Sequence, residues 1–321
     1  QGATGINVTE KVIEYVKSLA EGGRNDTLIR NYYDRFVEVL PRSVVFHYYS
    51  RLWMWSGDKK ARAGLDRLKS WYLGEDDIEK RISGLSDTTD KENPVTDRKK
   101  TYQKYKGLLR VNNLLFWWWM AKSVYQKDLT QEIDKSISSE ELNKLYFDLV
   151  SNEDDIWVLS SAAINFLYFM ELYAGKKVDS AYWVRMVENR LPELKDKDLV
   201  KRAFYFLSHI VIGETGFYSK QKIEQLDVCT DAVLMMEKMI EDNYFNTSLD
   251  MKFEFLVCCR IVNHVSRLEK MIMGEAERSK SGIGNFLVDT CNIWKHGFGN
   301  KLSFAEHRNV LYLMACGRMV V

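Results

Sequence analysis

Apolar positions recur at helical spacing in six segments: Val44 to Trp55, Val111 to Val124, Ile156 to Tyr173, Val200 to Ile212, Phe253 to Val265 and Glu306 to Met319. Between them lie stretches with a single apolar stripe, such as Leu142 to Val150, Ala181 to Leu191, Ile223 to Glu241 and Gly284 to Trp294. A helix apolar on nearly every face is buried, whereas one with a single stripe packs against it from outside. From Val111 onward the apolar centres are spaced by about 45–55 residues, the length of a helical hairpin with its loops. No sustained alternation of apolar and polar residues marks a strand, and no Asn-Gly or Asp-Gly dipeptide marks a hairpin turn. The pattern predicts an all-α chain of repeated αα-hairpins, inner helices wrapped by outer ones, in an α/α toroid or closed helical solenoid with an irregular helical N-terminal part.

Only Pro41, Pro94 and Pro192 interrupt the chain, so long helices are permitted almost everywhere. The polar stretch Ser83 to Lys106 contains Pro94 and reads as a surface loop or a boundary. It divides the chain into a helical part, residues 1–94, and a hairpin domain, residues 95–321, unless the two form one continuous domain. Lys plus Arg number 46 against 45 for Asp plus Glu, a net charge of +1 that removes the electrostatic footprint of a nucleic-acid binder. The most apolar windows fall short of the ~20 residues that a bilayer crossing needs, so no membrane span is expected. Five cysteines, an odd number, argue against a disulfide framework. The vicinal pair Cys258 and Cys259 lies in an apolar run and reads as core. A cytoplasmic setting is favoured, although Gln1 in place of Met leaves a preceding segment expected.

The runs DDIWVLSSAAINFLYFMELYAG (Asp154 to Gly175) and RAFYFLSHIVIGETGFYS (Arg202 to Ser219) resemble consecutive inner helices of the α/α-toroid proteins. That group includes terpene cyclases of the squalene-cyclase type, protein prenyltransferase β-subunits and six-hairpin glycosidases, and the likeness covers residues 107–321. The acidic DxDD of the cyclases is missing. DDIEK (Asp76 to Lys80) departs from the DDxxD of ionising synthases, since Lys80 occupies the last acidic position. The resemblance implies a fold and a central cavity, without carrying a family chemistry.

Ser161, Asn165 and Tyr168 share one face of an otherwise apolar helix, with Glu171 beside it, so they would line a cavity or satisfy a helix contact. Tyr205 and His209 lie one turn apart on the next apolar helix, which closes on Gly213-Glu214-Thr215-Gly216. His209 there is either a general acid or base with Glu214 nearby, or a capping residue interacting with the helix dipole. Asp154 and Asp155 open a helical run, as general acids at a cavity mouth or as first-turn carboxylates favoured by the macrodipole. Resemblance to prenyltransferase β-subunits makes Asp227, Cys229 and His296 the nearest counterpart of a zinc site. The triplet Trp117-Trp118-Trp119 fans through about 200° of helix and cannot face a single core. Walker, GxSxG, HExxH and EF-hand patterns are absent.

Two functional expectations follow. The first, resting on the missing catalytic signature, is a helical-repeat binding or scaffold protein with a protein or peptide partner and no cofactor. The second is an α/α-toroid enzyme acting on an apolar isoprenoid-like small molecule or a glycan in a central cavity. In the second, Asp154, Asp155, His209 and Glu214 would be the acid–base residues, and Ser161, Asn165, Tyr168, Glu171 and Tyr205 would line the cavity.

Overall fold

The structure is a computed structural model that describes residues 25–86, 97–194, 196–219, 223–279, 287, 298–317 and 319. Sixteen α-helices and no strand occur among the described residues. In chain order they are α1 (Asn25–Phe36), α2 (Arg42–Ser56), α3 (Lys59–Leu73), α4 (Ile78–Ser86), α5 (Asp97–Lys104), α6 (Leu108–Tyr125), α7 (Thr130–Ser136) and α8 (Ser139–Val150). There follow α9 (Glu153–Leu159), α10 (Ser161–Ala174), α11 (Ser180–Arg190), α12 (Lys197–Glu214), α13 (Leu226–Asp242), α14 (Leu249–Ile261), α15 (Glu269–Arg278) and α16 (Phe298–Cys316). Pro94 and the stretch Gly284 to Trp294, apart from Leu287, lie outside the described residues.

Local chemistry starts and stops these helices. Side chains of Asp58, Ser138, Asn152, Asp179, Asp196 and Ser248 accept backbone N–H bonds from the first turns of α3, α8, α9, α11, α12 and α14. Each such cap is worth ~1 kcal/mol. Gly175, at φ 67°, ends α10 in the left-handed conformation that costs a glycine nothing.

Helix α6 packs on α10, α10 on α12, α12 on α14, α14 on α16 and α16 on α2, while α2 packs on α3 and α3 meets α6. The more amphipathic helices cover these: α4 and α7 lie on α6, α11 and α13 on α12, and α15 on α14. Helices on either side of Pro94 are therefore in direct contact. Every residue of α14 from Leu249 to Cys259 is buried except Asp250, as its apolar sequence requires. Cys258 and Cys259 are among them, free and completely buried.

The apolar run Ile156 to Tyr173, read from sequence as one helix, is two. Helices α9 and α10 are bent by 109° at Ser160, whose backbone adopts φ 53°, ψ −124°. The Ser160 hydroxyl donates to the Arg202 carbonyl at 2.8 Å, tying the bend to α12. Short-range periodicity carries no trace of a break made by a partner 42 residues away. Among the described residues no single helix is long and apolar enough to cross a membrane.

Candidate functional site

Five helices bring polar side chains to one place. From α12, His209 Nδ1 lies 2.7 Å from Asn165 Oδ1 of α10. An amide oxygen only accepts, so Nδ1 carries the proton and the lone pair of the neutral ring is on Nε2. That Nε2 lies 4.0 Å from Oε1 of Glu254 on α14. The other carboxylate oxygen of Glu254 is 3.8 Å from His307 Nε2 on α16, and the Ser208 hydroxyl donates to Oε1. His47 of α2 directs Nδ1 at both oxygens of Glu306, at 3.0 and 2.9 Å, and its ring centroid is 5.5 Å from that of His307.

Exposure divides the cluster by residue type. The carboxylates are buried, at 3% and 5% side-chain exposure for Glu254 and Glu306, whereas His47, His209 and His307 keep 28%, 23% and 48%. The imidazoles thus face open space and the carboxylates stand behind them.

This environment drives the two imidazoles beside Glu254 in opposite directions. Burial lowers the His209 pKa below the ordinary imidazole value, with the positive charges of Arg51 and His307 adding to it and Glu254 opposing. Burial also works against the charge of His307, but Glu254 outweighs it and holds that pKa above the ordinary value. Burial raises the Glu254 carboxyl, yet His307, His209 and Ser208 more than offset this and keep it below the usual carboxylate range. Burial lowers His47 as well, against the attraction of Glu306. The arrangement therefore favours the neutral form of His209 and the protonated form of His307, on either side of a Glu254 carboxyl that favours its anion.

Of the residues singled out from sequence, the structure brings together His209 and Asn165, with Tyr205 one turn away, its ring centroid 6.5 Å from that of His209. His209 does not cap α12. It lies five residues before the helix end, and its ring bonds to a side chain, while Thr215 forms the C-cap. Glu214 is not its partner either, because five residues turn a helix by about 140°. Glu214 instead accepts from Tyr168 at 2.9 Å and from Ser180. The stripe on α10 therefore splits: Asn165 faces His209, whereas Tyr168 is buried against Ser180 and Glu214, and Ser161 is half-buried. Glu171 accepts from the Val178 backbone at 2.7 Å, holding the turn after the helix.

Asp154 pairs with Arg190 at 2.6 Å and is exposed; Asp155 accepts from Tyr105 at 2.6 Å and pairs with Lys104. Neither shares a partner with the His209 cluster. Asp227 is exposed and Cys229 completely buried on the same helix, and His296 lies outside the described residues. No group of three or more His, Cys, Asp or Glu that would hold a metal ion occurs among the described residues. The three tryptophans diverge as their spacing requires, their indole N–H groups reaching the Tyr72 carbonyl, the Thr130 hydroxyl and the Gly216 carbonyl.

Glu254, His47 and Glu306 escaped the sequence reading, yet each left a signal. Glu254 is the one carboxylate inside FEFLVCC, and His47 with Arg51 sits at i, i+4 in VVFHYYSRLWMW. A charge inside an apolar helix is expensive unless something pairs with it, which is itself a pointer to a site. No protein-family model, curated protein or solved structure matches the chain.

Proposed function

We propose that the chain is an acid–base enzyme that cleaves a C–O bond in a glycan held at the centre of an α/α toroid. The toroid reading is supported by the order of helix neighbours, which runs α6, α10, α12, α14, α16, α2 and returns through α3 to α6. The observation that carries the chemistry is Glu254 flanked by two imidazoles whose pKa values are pushed apart. Such separation assigns roles: the group held neutral takes a proton and the group held charged gives one. In this reading His209 Nε2 takes a proton from a water whose oxygen bonds to the sugar carbon, while the C–O bond breaks and His307 Nε2 gives a proton to the leaving oxygen. Asn165 fixes the His209 tautomer, and Glu254 stabilises the imidazolium that forms on His209.

The substrate class follows from the lining. Asn165, His209 and His47 present donors and acceptors that an isoprenoid chain would strand without partners, at a cost of several kcal/mol. A polyhydroxylated ligand satisfies them. A binding role without turnover remains the competing outcome of the test. Wild-type protein and the His209→Gln and His307→Gln variants are incubated with a panel of neutral, uronate-containing and sulfated polysaccharides, and new chain ends are counted. Wild-type protein releases ends from at least one glycan, and each variant loses at least a hundredfold in rate. Binding of a glycan without release of ends, by wild type and variants alike, would leave a lectin-like protein in place of an enzyme.

A further inference from the structure

Arg51 lies one turn beyond His47 on α2, and its guanidinium carbon sits 4.9 Å from the ring centroid of the buried Tyr218. Its Nη1 is shielded from solvent and has no hydrogen-bond acceptor, and no carboxylate among the described residues pairs with it. The neighbouring carboxylates are already engaged: both oxygens of Glu306 face His47, and Glu254 stands between Ser208, His209 and His307. Arg51 lies within electrostatic reach of both His47 and His209.

Arg51 is half-buried, and its Nη1, shut off from water with no acceptor, is costly to leave unmet, whereas an anion placed there would satisfy it. Its planar fork of donors matches a carboxylate or sulfate bidentately, which an ammonium would not. The Tyr218 ring beneath it is held in place by its own backbone: Gly216, Phe217 and Tyr218 take φ values of 58°, 57° and 70°, and Tyr218 N–H donates to Thr215 Oγ1 at 2.8 Å. Consecutive left-handed residues other than glycine cost about 1–3 kcal/mol each, and strain of that kind persists where the surroundings impose it. Phe217 stacks on Phe169 of α10, which anchors the turn.

We infer that Arg51, backed by Tyr218, is an anion subsite that takes the carboxylate or sulfate ester of an acidic sugar, so that the glycan of the proposed reaction is an acidic one. The inference rests on the glycan reading for its ligand and on the unpaired guanidinium for its charge.

Isothermal titration calorimetry separates the two. Trigalacturonate, a sulfated galactose trisaccharide, neutral galactotriose and inorganic sulfate are each titrated into the wild-type chain and into Arg51→Met and Arg51→Lys, with folding checked by circular dichroism. One of the acidic trisaccharides binds wild type at least tenfold more tightly than galactotriose, and which one it is identifies the anionic group. Arg51→Met reduces that affinity to the level of the neutral sugar, leaves galactotriose within twofold, and Arg51→Lys falls between. Equal binding of acidic and neutral sugars, or an acidic affinity unmoved by Arg51→Met, overturns the anion subsite while leaving the glycan reading intact. Sulfate binding that depends on Arg51 with no saccharide bound supports the subsite and removes the glycan. No binding by any of the four removes both.

Discussion

Gly213, in the last turn of α12, is where the helix carrying His209 backs directly onto the Tyr168 ring of α10. A Cβ placed there would lie 2.1, 2.4 and 2.6 Å from Cδ2, Cε2 and Cγ of Tyr168. Those are about 0.9–1.4 Å inside the ~3.5 Å at which carbon atoms meet comfortably. The ring has little freedom to yield, since its hydroxyl bonds Glu214 and Ser180, each at 2.9 Å, and the side chain is buried. Gly213→Ala must therefore push α10 and α12 apart. Overpacking of this kind costs about 1–3 kcal/mol, against a helix-propensity gain of about 0.5–1 kcal/mol from replacing glycine. A net loss of about 1–2 kcal/mol is expected in urea unfolding followed by circular dichroism. In a Tyr168→Leu background the obstructing ring is gone and the same substitution should be neutral or stabilising, so a double-mutant cycle returns a coupling of at least ~1 kcal/mol. The displacement also lengthens the 2.7 Å contact between Asn165 and His209, so catalytic rate should fall in the single variant and recover only in part in the double. Gly213→Ala stabilising the wild-type chain, or zero coupling with Tyr168, would refute this packing.

Ser160 carries the second structural prediction. Its φ of 53° and ψ of −124° suit glycine, so Ser160→Gly relieves about 1–3 kcal/mol of strain while losing a hydrogen bond to Arg202 worth about 1 kcal/mol. Stability by urea unfolding should hold or rise, and Ser160→Val should lose about 2 kcal/mol or more by adding bulk to the same conformation. The third concerns pH. Rate should rise with pH as His209 loses its proton below the ordinary imidazole pKa and fall as His307 loses its proton above it, giving a plateau that spans about 6.5. Glu254 raises both imidazoles, so in Glu254→Gln both limbs of the profile move to lower pH; limbs that stay in place would exclude Glu254 from that role. The same signs carry to stability. The contribution of His307 is complete below the unfolded pKa and is lost as pH rises through the raised folded value, whereas that of Glu254 is lost as pH falls through its depressed one.

The helices were legible because their cause is local. Apolar spacing of three and four residues marks α2, α6, α10, α12, α14 and α16, and small polar residues at their starts cap several of the helices between. Half of the site was legible for the same reason, since Asn165, Tyr205 and His209 are polar interruptions of apolar helices. The pairings were not, because they depend on which helices meet. His47 and Glu306 are 259 residues apart, Asn165 and His209 44, and no spacing rule connects them. Choosing Glu214 as the partner of His209 used nearness in sequence, where helical geometry sends the two side chains about 140° apart. The break at Ser160 was hidden likewise, because a backbone bend held by the Arg202 carbonyl leaves the apolar pattern on both sides unchanged.

The central claim is that the two imidazoles flanking Glu254 are shifted in opposite directions, His209 down by burial and His307 up by Glu254. NMR titration of the histidine ring signals tests it directly, with His209 and His307 assigned by their loss in His209→Gln and His307→Gln. The account predicts that His209 titrates below the ordinary value of about 6.5 and His307 above it. Coincident titration of both rings near 6.5, or His209 titrating above His307, would contradict it.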